Sequence, residues 1–267
     1  MGLPKISVVI PSYNQAKFIG GTIQSVISQD YPNLELIIID GGSADGSVDI
    51  IKKYKKFIAY SVSEADDGQT DALVKGFSRS SGDIQCWLNS DDLLVQSALG
   101  DVADYFTKRP DVDAVFGDTE WIDENGDALR RQREIPFNWF IWLYTYNYIP
   151  GMSMFWRRKL YEKVGGLNRK YQLAMDADLW ARFAEAGCIM HSRKTWSQMR
   201  FYPSQKNQRL RAQSDAEDLE IRSRYWGGAT PPPLYGLKKT TAHLLRVGWR
   251  LLMGCYHVGY RKDLSKR

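Results

Sequence analysis

The sequence predicts an α/β fold with a mostly parallel, Rossmann-like sheet that is covered by helices on both faces. Through the first 118 residues, short runs of apolar and β-branched residues alternate with amphipathic segments. Uninterrupted apolar strands of this kind are typical of parallel sheets, because helices bury both of their faces. Polar or acidic residues follow four of the runs, at the edge where open α/β sheets bind ligands.

Five strands and four helices are predicted in this first part. Each strand is a continuous apolar run, whereas each helix has apolar residues three or four positions apart. The strands are expected at ISVVIP, LELIIID, IAYSV, IQCWL and VDAVFG. The helices are expected over about residues 19–27, 48–54, 72–79 and 97–107.

The pattern changes after Asp118. DENGDA is typical of a hairpin turn, and residues 137–148 contain seven aromatic side chains in twelve positions. This aromatic segment is either a buried helix or an exposed wall, since Trp and Tyr also favour membrane interfaces. A strand and helix from MSMFW to DLWARFAEAG follow, then a polar helix from about Arg211 to Tyr225. GGATPPP indicates a stiff linker before one more helix.

The charge and cysteine content argue against several classes of protein. The net charge is +5, and residues 238–267 hold eight Lys or Arg against one Asp, which leaves −2 for residues 1–237. Because a nucleic-acid enzyme more often carries its basic patch on the folded body, we expect no nucleic-acid partner. Three widely spaced cysteines predict neither a disulfide framework nor a zinc site. No signal peptide and no transmembrane helix are expected, so we expect a cytoplasmic protein.

Five stretches resemble the inverting family 2 glycosyltransferases of the GT-A fold, most closely the branch that builds O-antigens and other bacterial surface polysaccharides. They follow the family's order over about residues 5–185. The stretches are SVVIPSYNQ, SVISQDYPNLELIIIDGGSADGS, SEADDGQTDALVKG, SGDIQCWLNSDD and GGLNRKYQLAMDADLWARF. The resemblance implies transfer of one sugar from a nucleotide-diphosphate sugar to a hydroxyl of a glycan or lipid-linked acceptor. It also implies a divalent metal, Mg²⁺ or Mn²⁺, as cofactor.

The resemblance, together with the sequence pattern after residue 227, divides the chain into three parts. Residues 1–118 would bind the nucleotide-sugar donor, and residues 119–227 would bind the acceptor and supply the catalytic base within the same GT-A domain. Residues 228–267 would add a Pro-rich linker and a basic amphipathic helix. If the aromatic segment is exposed, its Trp139 and Trp142 would form part of an acceptor wall.

An acidic pair ends the fourth predicted strand, in the stretch CWLNSDDLL. In the family, the first of these aspartates lies near the donor ribose and the second binds the metal, which implies these roles for Asp91 and Asp92. Mg²⁺ or Mn²⁺ is held by one or two carboxylates together with substrate phosphates and water. Such an ion neutralises the charge on a departing nucleoside diphosphate. The alternative is that Asp91 caps the next helix.

The stretch AMDADLW supplies the candidate catalytic base. Inverting transfer needs a base on the face opposite the leaving group, and a carboxylate in a water-poor site suits this because desolvation raises its pKa. The family has an acidic pair here, and its second acid is the base. That position is Asp176, while Met175 replaces the first acid. The alternative is that Asp176 is an ordinary aspartate at a helix start.

Nucleotide recognition is expected at the ends of the first two strands. Pro11, Ser12 and Tyr13 match a loop that packs on the base in relatives, and a tyrosine ring is a natural stacking surface. Family members usually have a second aspartate after the one that corresponds to Asp40, and it accepts a base N–H. This chain has Gly41 there, so Asp40 or a backbone carbonyl would serve instead.

Three more positions complete the expected site. Asp66 and Asp71 belong to a loop that borders the donor in relatives, with solvated loop charges as the alternative. Many relatives also have a histidine ligand to the metal after the catalytic helix, where this chain has Tyr202. Because neutral tyrosine is a poor ligand for Mg²⁺, metal affinity is expected to be weak without the donor.

Two other functions are compatible with parts of this pattern. A sugar nucleotidyltransferase shares the fold class but opens with a Gly-rich loop, whereas this chain has PSYNQ. A non-catalytic protein that binds a nucleotide-sugar or a partner complex is favoured by Met175, Gly41 and Tyr202. The presence of Asp91, Asp92 and Asp176 together argues against it.

The last helix predicts a peripheral attachment to the inner face of the plasma membrane through residues 238–261. At 100° per residue its basic side chains fall on one face and its apolar ones on the other. The basic face comprises Lys239, His243, Arg246, Arg250, His257 and Arg261, and the apolar face Leu245, Trp249, Leu252 and Tyr256. The helix would lie in the interface, with its basic residues attracted to anionic headgroups. The alternative is that the apolar face packs on the protein's own body or on a second subunit.

Overall fold

A single mixed β-sheet runs through the described part of the chain. A computed structural model describes residues 2–228 and 230–256, except for the side chains of residues 207 and 208. The strands are β1 (Ile6–Ser12), β2 (Leu34–Asp40), β3 (Tyr60–Ser63), β4 (Ile84–Trp87), β5 (Leu93–Leu94), β6 (Ala114–Ile122), β7 (Ala128–Gln132), β8 (Met154–Arg157) and β9 (Ile189–Arg200).

The sheet has a parallel half and a mixed half. β3, β2, β1 and β4 lie side by side in this order and are parallel, as the sequence predicts. β8 then lies between β4 and β6, antiparallel to both, and β9 pairs in parallel with β6. β7 completes the predicted hairpin with β6, and β5 pairs with β9. The α/β class is confirmed, whereas the insertion of β8 next to β4 was not predicted.

Helices cover the sheet and place their apolar faces against it. The helices predicted in the first part are confirmed, with ends that lie within a few residues of the expected positions. The helices are α1 (Ile19–Ile27), α2 (Ser47–Lys53), α3 (Gln69–Arg79), α4 (Ala98–Lys108), α5 (Trp139–Tyr144), α6 (Arg158–Lys163), α7 (Met175–Ala186), α8 (Lys206–Arg209), α9 (Arg211–Trp226) and α10 (Tyr235–Leu252).

A cluster of three tryptophans joins the sheet to α7. Trp87 of β4 stacks on Trp180 of α7, with ring centroids 5.2 Å apart and planes that differ by 4°. Trp156 of β8 lies 5.5 Å from Trp87 and 5.7 Å from Trp180, and all three side chains are buried. Because such aromatic pairs bury large areas in defined geometry, the cluster holds α7 in place against β4.

The aromatic segment forms α5 and then a stretch without regular structure. Trp142 is fully buried, and Trp139 stacks on it with ring centroids 5.3 Å apart. Neither residue lines the cavity described below, whereas residues 146–150 do. The buried-helix interpretation therefore holds for Trp142, and the expectation that Trp139 and Trp142 form an acceptor wall needs correction.

Helix α10 packs against the body of the protein through Arg246. Its guanidinium contacts both carboxylate oxygens of Glu134, at 2.9 and 3.1 Å, and lies over the ring of Tyr146 at 4.6 Å. Both members of this ion pair are buried. The expectation that Arg246 faces lipid headgroups is therefore wrong, because Glu134 gives it a partner inside the protein.

The exposed surface of α10 is largely apolar. We call this surface the leucine face; it comprises Leu237, Leu244, Leu245, Leu251 and Leu252. Lys239 and His243 of the same helix are also exposed, while the predicted basic residues His257 and Arg261 lie outside the described residues. Among the residues that the structure describes, no helix is both long and apolar enough to cross a membrane.

Candidate active site

A cavity of about 1160 Å³ opens at the carboxyl edge of the parallel strands. Its wall includes residues 11–15 at the end of β1, Gly41 after β2, Asp66 after β3 and residues 89–91 after β4. Residues 146–152 and parts of α7 and α10 also line it. The predicted convergence of the strand ends is confirmed, at the edge where α/β sheets bind ligands.

Only one member of the acidic pair, Asp91, lines the cavity. Asp92 is fully buried, and its carboxylate accepts hydrogen bonds from the backbone N–H of Arg200 and from the side-chain amide of Asn89, both at 2.9 Å. Burial, together with the neighbouring Asp91, raises the pKa of Asp92 well above its usual value. The contact of Asp92 with Arg200 fastens the turn after β4 to β9. Asp91 is the member of the pair that reaches the cavity wall, and the metal-ligand role expected of Asp92 stays a prediction.

Asp91 presents a carboxylate to the cavity from a largely buried position. The phenolic O–H of Tyr202 donates a hydrogen bond of 2.7 Å to its Oδ2, and Nε of Arg200 donates one of 2.9 Å to its backbone carbonyl. Burial raises the pKa of Asp91 because it disfavours the ionised carboxylate, and a cation bound beside it would stabilise that form. Asp91 does not cap the next helix, since α4 begins at Ala98.

A divalent cation fits these residues as a partner of the donor. Among the described residues, no group of three or more His, Cys, Asp or Glu forms a ready-made metal site. Asp91 nevertheless supplies a desolvated carboxylate, and one or two carboxylates with substrate phosphates and water are enough for Mg²⁺ or Mn²⁺. Tyr202 contacts Asp91 at the position where the family resemblance implies a histidine. The side chain at this position is therefore not a second strong metal ligand beside Asp91.

Asp176 lies in the first turn of α7 and lines the same cavity. Its Oδ2 accepts a hydrogen bond of 2.9 Å from the side-chain amide of Asn147, and its Oδ1 accepts one of 2.8 Å from the N–H of Ala177. Burial raises the pKa of Asp176 to about 6, and Asp218 adds to this effect. A carboxylate with this pKa is ionised at neutral pH and can take a proton from a bound hydroxyl.

Two of the acids expected at the donor are occupied within the protein. Asp40 is buried and accepts hydrogen bonds from the N–H and the hydroxyl of Ser43 and from the hydroxyl of Ser63. Asp71 on α3 forms ion pairs with Arg169 at 2.8 Å and Lys75 at 3.2 Å. Neither aspartate lines the cavity, so the expectation that they contact the donor needs correction.

The remaining donor candidates do face the cavity. Pro11, Ser12 and Tyr13 line it at the end of β1, and Tyr13 is 62% exposed, so a base could stack on its ring. Asp66 also lines the cavity, and its Oδ1 accepts a hydrogen bond of 2.9 Å from the N–H of Gly68.

The sequence candidates did not include several polar residues of the cavity wall. Asn89 lies two residues before Asp91 and could have been found from that position. Asn147, which contacts Asp176, lies in a segment whose pattern is dominated by aromatics. Arg130 of the hairpin and Arg250 of α10 also line the cavity, but their 120 positions of separation gave no signal that they share one wall.

Comparison with known proteins identifies the family. The sequence profile described as "Glycosyl transferase family 2" matches residues 7–165, which is more than half of the chain. The chain belongs to glycosyltransferase family 2. Asp91 lies within the matched range, whereas Asp176 and Tyr202 lie beyond it.

Two curated relatives of this family 2 member carry general descriptions. An uncharacterized glycosyltransferase of Rickettsia conorii is 27% identical over 214 residues, which cover 77% of this chain and 35% of that protein. A probable glycosyltransferase of Bacillus subtilis is 28% identical over 201 residues, which cover 69% of this chain and 48% of that protein. The chain thus spans only about a third to a half of the length of these relatives.

Solved structures confirm the GT-A fold for this family 2 chain. The structure of Staphylococcus aureus TarS 1–349 in complex with UDP has a TM-score of 0.66 at 17% identity and covers 90% of this chain and 70% of that chain. The mannosyltransferase PcManGT of Pyrobaculum calidifontis, in complex with GDP-Man and Mn²⁺, has a TM-score of 0.64 at 20% identity, with coverage of 91% and 70%. At these identities the likeness concerns the fold.

Proposed function

We propose that the chain is an inverting glycosyltransferase that moves one sugar from a nucleotide-diphosphate sugar to a hydroxyl of a glycan or lipid-linked acceptor. One observation carries the proposal: Asp91 and Asp176 face one cavity from different elements of the fold. Membership of family 2 supports glycosyl transfer. The UDP, UDP-GlcNAc and GDP-Man bound to structural neighbours support a nucleotide-sugar as the donor.

Asp176 acts as the general base in this proposal. Its carboxylate accepts the proton of the acceptor hydroxyl while that oxygen attacks the anomeric carbon of the sugar. The bond from this carbon to the diphosphate breaks, and its electron pair leaves with the nucleoside diphosphate. Asn147 holds Oδ2 of Asp176 in place through its 2.9 Å hydrogen bond.

Asp91 holds the diphosphate side of the donor. The cation it would bind, Mg²⁺ or Mn²⁺, would neutralise the charge that develops on the leaving group. The bound Mn²⁺ in the PcManGT complex supports a divalent metal. Pro11, Ser12 and Tyr13 form the platform for the base, so residues 1–118 remain the proposed donor half.

The acceptor approaches from the side built by residues 119–227, and α10 extends this side. Arg250 and Cys255 line the cavity next to residues 146–152. We therefore propose a second role for the segment that includes α10, besides attachment to a membrane: it completes the cavity wall on which an acceptor would rest.

We also infer a peripheral attachment to the cytoplasmic face of a membrane through the leucine face of α10. Its leucines are 52% to 89% exposed, and Lys239 of the same helix is exposed as well. Apolar side chains of an interfacial helix insert at the boundary of headgroups and acyl chains, and basic residues add attraction to anionic lipids. The location suits synthesis of an O-antigen-like surface polysaccharide, in which lipid-linked acceptors meet cytosolic donors.

The proposal is tested by incubating the full chain with UDP-, GDP- and dTDP-sugars and Mn²⁺, and measuring release of the nucleoside diphosphate. We expect release with one donor, and a large loss of that release in Asp176→Asn. Binding of a nucleotide-sugar without turnover, with or without candidate acceptors, would instead favour the non-catalytic alternative.

A further inference from the structure

The loop after β3 takes the place of a missing side chain at the end of β2. A Cβ atom built on Gly41 would lie 2.8 Å from Oδ2 of Asp66 and 3.1 Å from Oδ1. Real Cβ atoms essentially never approach an atom so closely. The carboxylate of Asp66 therefore fills the space that a side chain at position 41 would need, and it would have to shift if such a side chain were present.

This carboxylate borders the platform expected to carry the base. The N–H of Gly41 donates a hydrogen bond of 2.8 Å to the carbonyl of Ser12, directly before Tyr13. Gly41 therefore lies between Asp66 and the loop on which a base would stack, since it adjoins the carboxylate of Asp66 and bonds to Ser12. Its Oδ1 is taken by the N–H of Gly68, and its Oδ2 is directed towards Gly41.

Competing carboxylates at this edge are engaged elsewhere or face away from the cavity. Asp40 is saturated by two serines, Asp71 is paired with Arg169, and Glu64 is paired with Lys75. Asp67 is exposed and does not line the cavity. In the described part of the chain, Asp66 is thus the carboxylate of the β2 and β3 ends that lines the cavity, whereas Asp91 lines it from the end of β4. Burial raises its pKa, and an N–H donor from a ligand would stabilise its ionised form.

We propose that Asp66 recognises the base of the donor by accepting a hydrogen bond from a ring N–H. Uracil, thymine and guanine carry such an N–H, whereas the corresponding ring nitrogens of cytosine and adenine are acceptors that a carboxylate repels. The inference rests on the proposed function, because it assumes that a nucleotide occupies this cavity. It assigns the donor to the class of UDP-, dTDP- or GDP-sugars. It also makes Asp66, in the loop after β3, the residue that selects among nucleotide bases.

Binding of free nucleotides tests this reading without any need for turnover. Calorimetry of the full chain with UDP, dTDP, GDP, CDP and ADP, each with Mn²⁺, should show at least one of the first three binding on the order of tenfold or more tighter than the last two. Asp66→Asn should weaken that binding by roughly 10- to 100-fold, as expected for loss of a charged hydrogen bond. The same variant should reduce the preference against CDP and ADP, because the amide N–H₂ can donate to their ring nitrogens.

Two further variants separate this role from a general effect on the loop. Asp67→Asn removes the adjacent exposed carboxylate and should leave all five affinities unchanged. Gly41→Ala should weaken binding as Asp66→Asn does, because its Cβ displaces the carboxylate. Equal binding of all five nucleotides, or an Asp66→Asn variant with wild-type affinity and preference, would overturn the base reading while leaving the proposed function intact. Failure of all five to bind would overturn both.

Discussion

The phenolic hydroxyl of Tyr202 donates a hydrogen bond of 2.7 Å to Oδ2 of Asp91. Burial, and then the charge of Asp91, raise the pKa of Tyr202, so the phenol stays protonated and continues to donate. The tyrosine therefore satisfies one oxygen of the carboxylate proposed to bind the cation, and it offers no strong ligand in return.

This contact predicts weak binding of Mn²⁺ to the free enzyme and tighter binding once a nucleoside diphosphate is present. Replacing Tyr202 with His should raise the affinity for Mn²⁺ without nucleotide by about tenfold, because a neutral imidazole nitrogen is a better ligand than a phenol. Calorimetry or Mn²⁺ electron paramagnetic resonance measures both affinities. Tyr202→Phe serves as the control, since it removes the hydrogen bond and adds no ligand. Equal Mn²⁺ affinities for the His and Phe variants would contradict the assignment of this position.

The two adjacent aspartates should respond differently to the same substitution. Asp91→Asn should abolish metal-dependent transfer, because the amide removes the charge that faces the cavity. Asp92→Asn should retain at least about a tenth of the wild-type turnover, since this residue only fastens the turn to the N–H of Arg200. Steady-state rates at saturating Mn²⁺ decide between them. The reverse order of losses would restore Asp92 as the ligand.

Turnover should fall as the pH is lowered through about 6. The pKa of Asp176 is raised from 3.8 to about 6, so the base is ionised above this pH and protonated below it. Asp176→Asn should reduce turnover on the order of 10²- to 10⁴-fold and remove this inflection, with donor affinity little changed. A pH–rate profile of the wild type, beside donor titrations of both proteins, makes the measurement. A collapse of donor affinity with normal turnover at saturation would place the base elsewhere.

The same shift in pKa affects stability. Because the folded protein binds the proton of Asp176 more tightly than the unfolded chain does, this group favours the folded state at low pH, and that contribution is lost as the pH rises from about 4 to 6. Asp176→Asn should therefore raise the melting temperature relative to the wild type above pH 6 more than at pH 4. Thermal melts at the two pH values test this sign independently of activity.

Membrane attachment should depend on the leucine face and not on Arg246. Changing Leu244, Leu251 and Leu252 to Gln should abolish co-sedimentation of the full chain with anionic liposomes, while the melting temperature stays the same because these side chains are exposed. The matched control is Leu219→Gln, which changes a leucine of α9 that is 54% exposed. If wild type and triple variant both remain in the supernatant at low salt, the attachment is disproved.

The buried ion pair between Arg246 and Glu134 should be costly to break. Glu134→Ala should lower the free energy of unfolding by about 3–5 kcal/mol, because it leaves a buried guanidinium without its partner. Urea denaturation of the wild type, of Glu134→Ala, of Arg246→Ala and of the double variant gives the coupling energy of the pair. A coupling near zero would mean that α10 is held by its other contacts.

The sequence predicts the parallel half of the fold and its ligand-binding edge because these depend on local patterns. Continuous apolar runs specify β1, β2 and β4, and the polar residues that follow them converge wherever parallel strands end together. It could not decide which of two neighbouring carboxylates faces the cavity. That choice depends on Arg200, whose backbone N–H reaches Asp92 from 108 positions away.

The orientation of α10 shows the same limit. Its periodicity correctly predicts a helix with basic and apolar positions, but the partner of Arg246 is Glu134, 112 positions earlier. Periodicity describes how side chains are distributed around an axis, whereas burial depends on what the rest of the chain places beside it. Asp40 likewise accepts a hydrogen bond from Ser63 of the neighbouring strand, 23 positions away, and a local motif does not indicate that contact.

The stacked rings of Trp87 and Trp180 act as a spacer of fixed length between the two chemical centres. Trp87 lies four residues before Asp91, and Trp180 lies one helical turn after Asp176. Close-packed aromatic interiors are hard to compress or extend, so the stacked rings keep the distance between Asp91 and Asp176 nearly fixed. A change of donor or acceptor preference is then expected at the rim of the cavity. There the loop after β3, the hairpin and α10 can change without altering the distance between the proposed cation site and the proposed base.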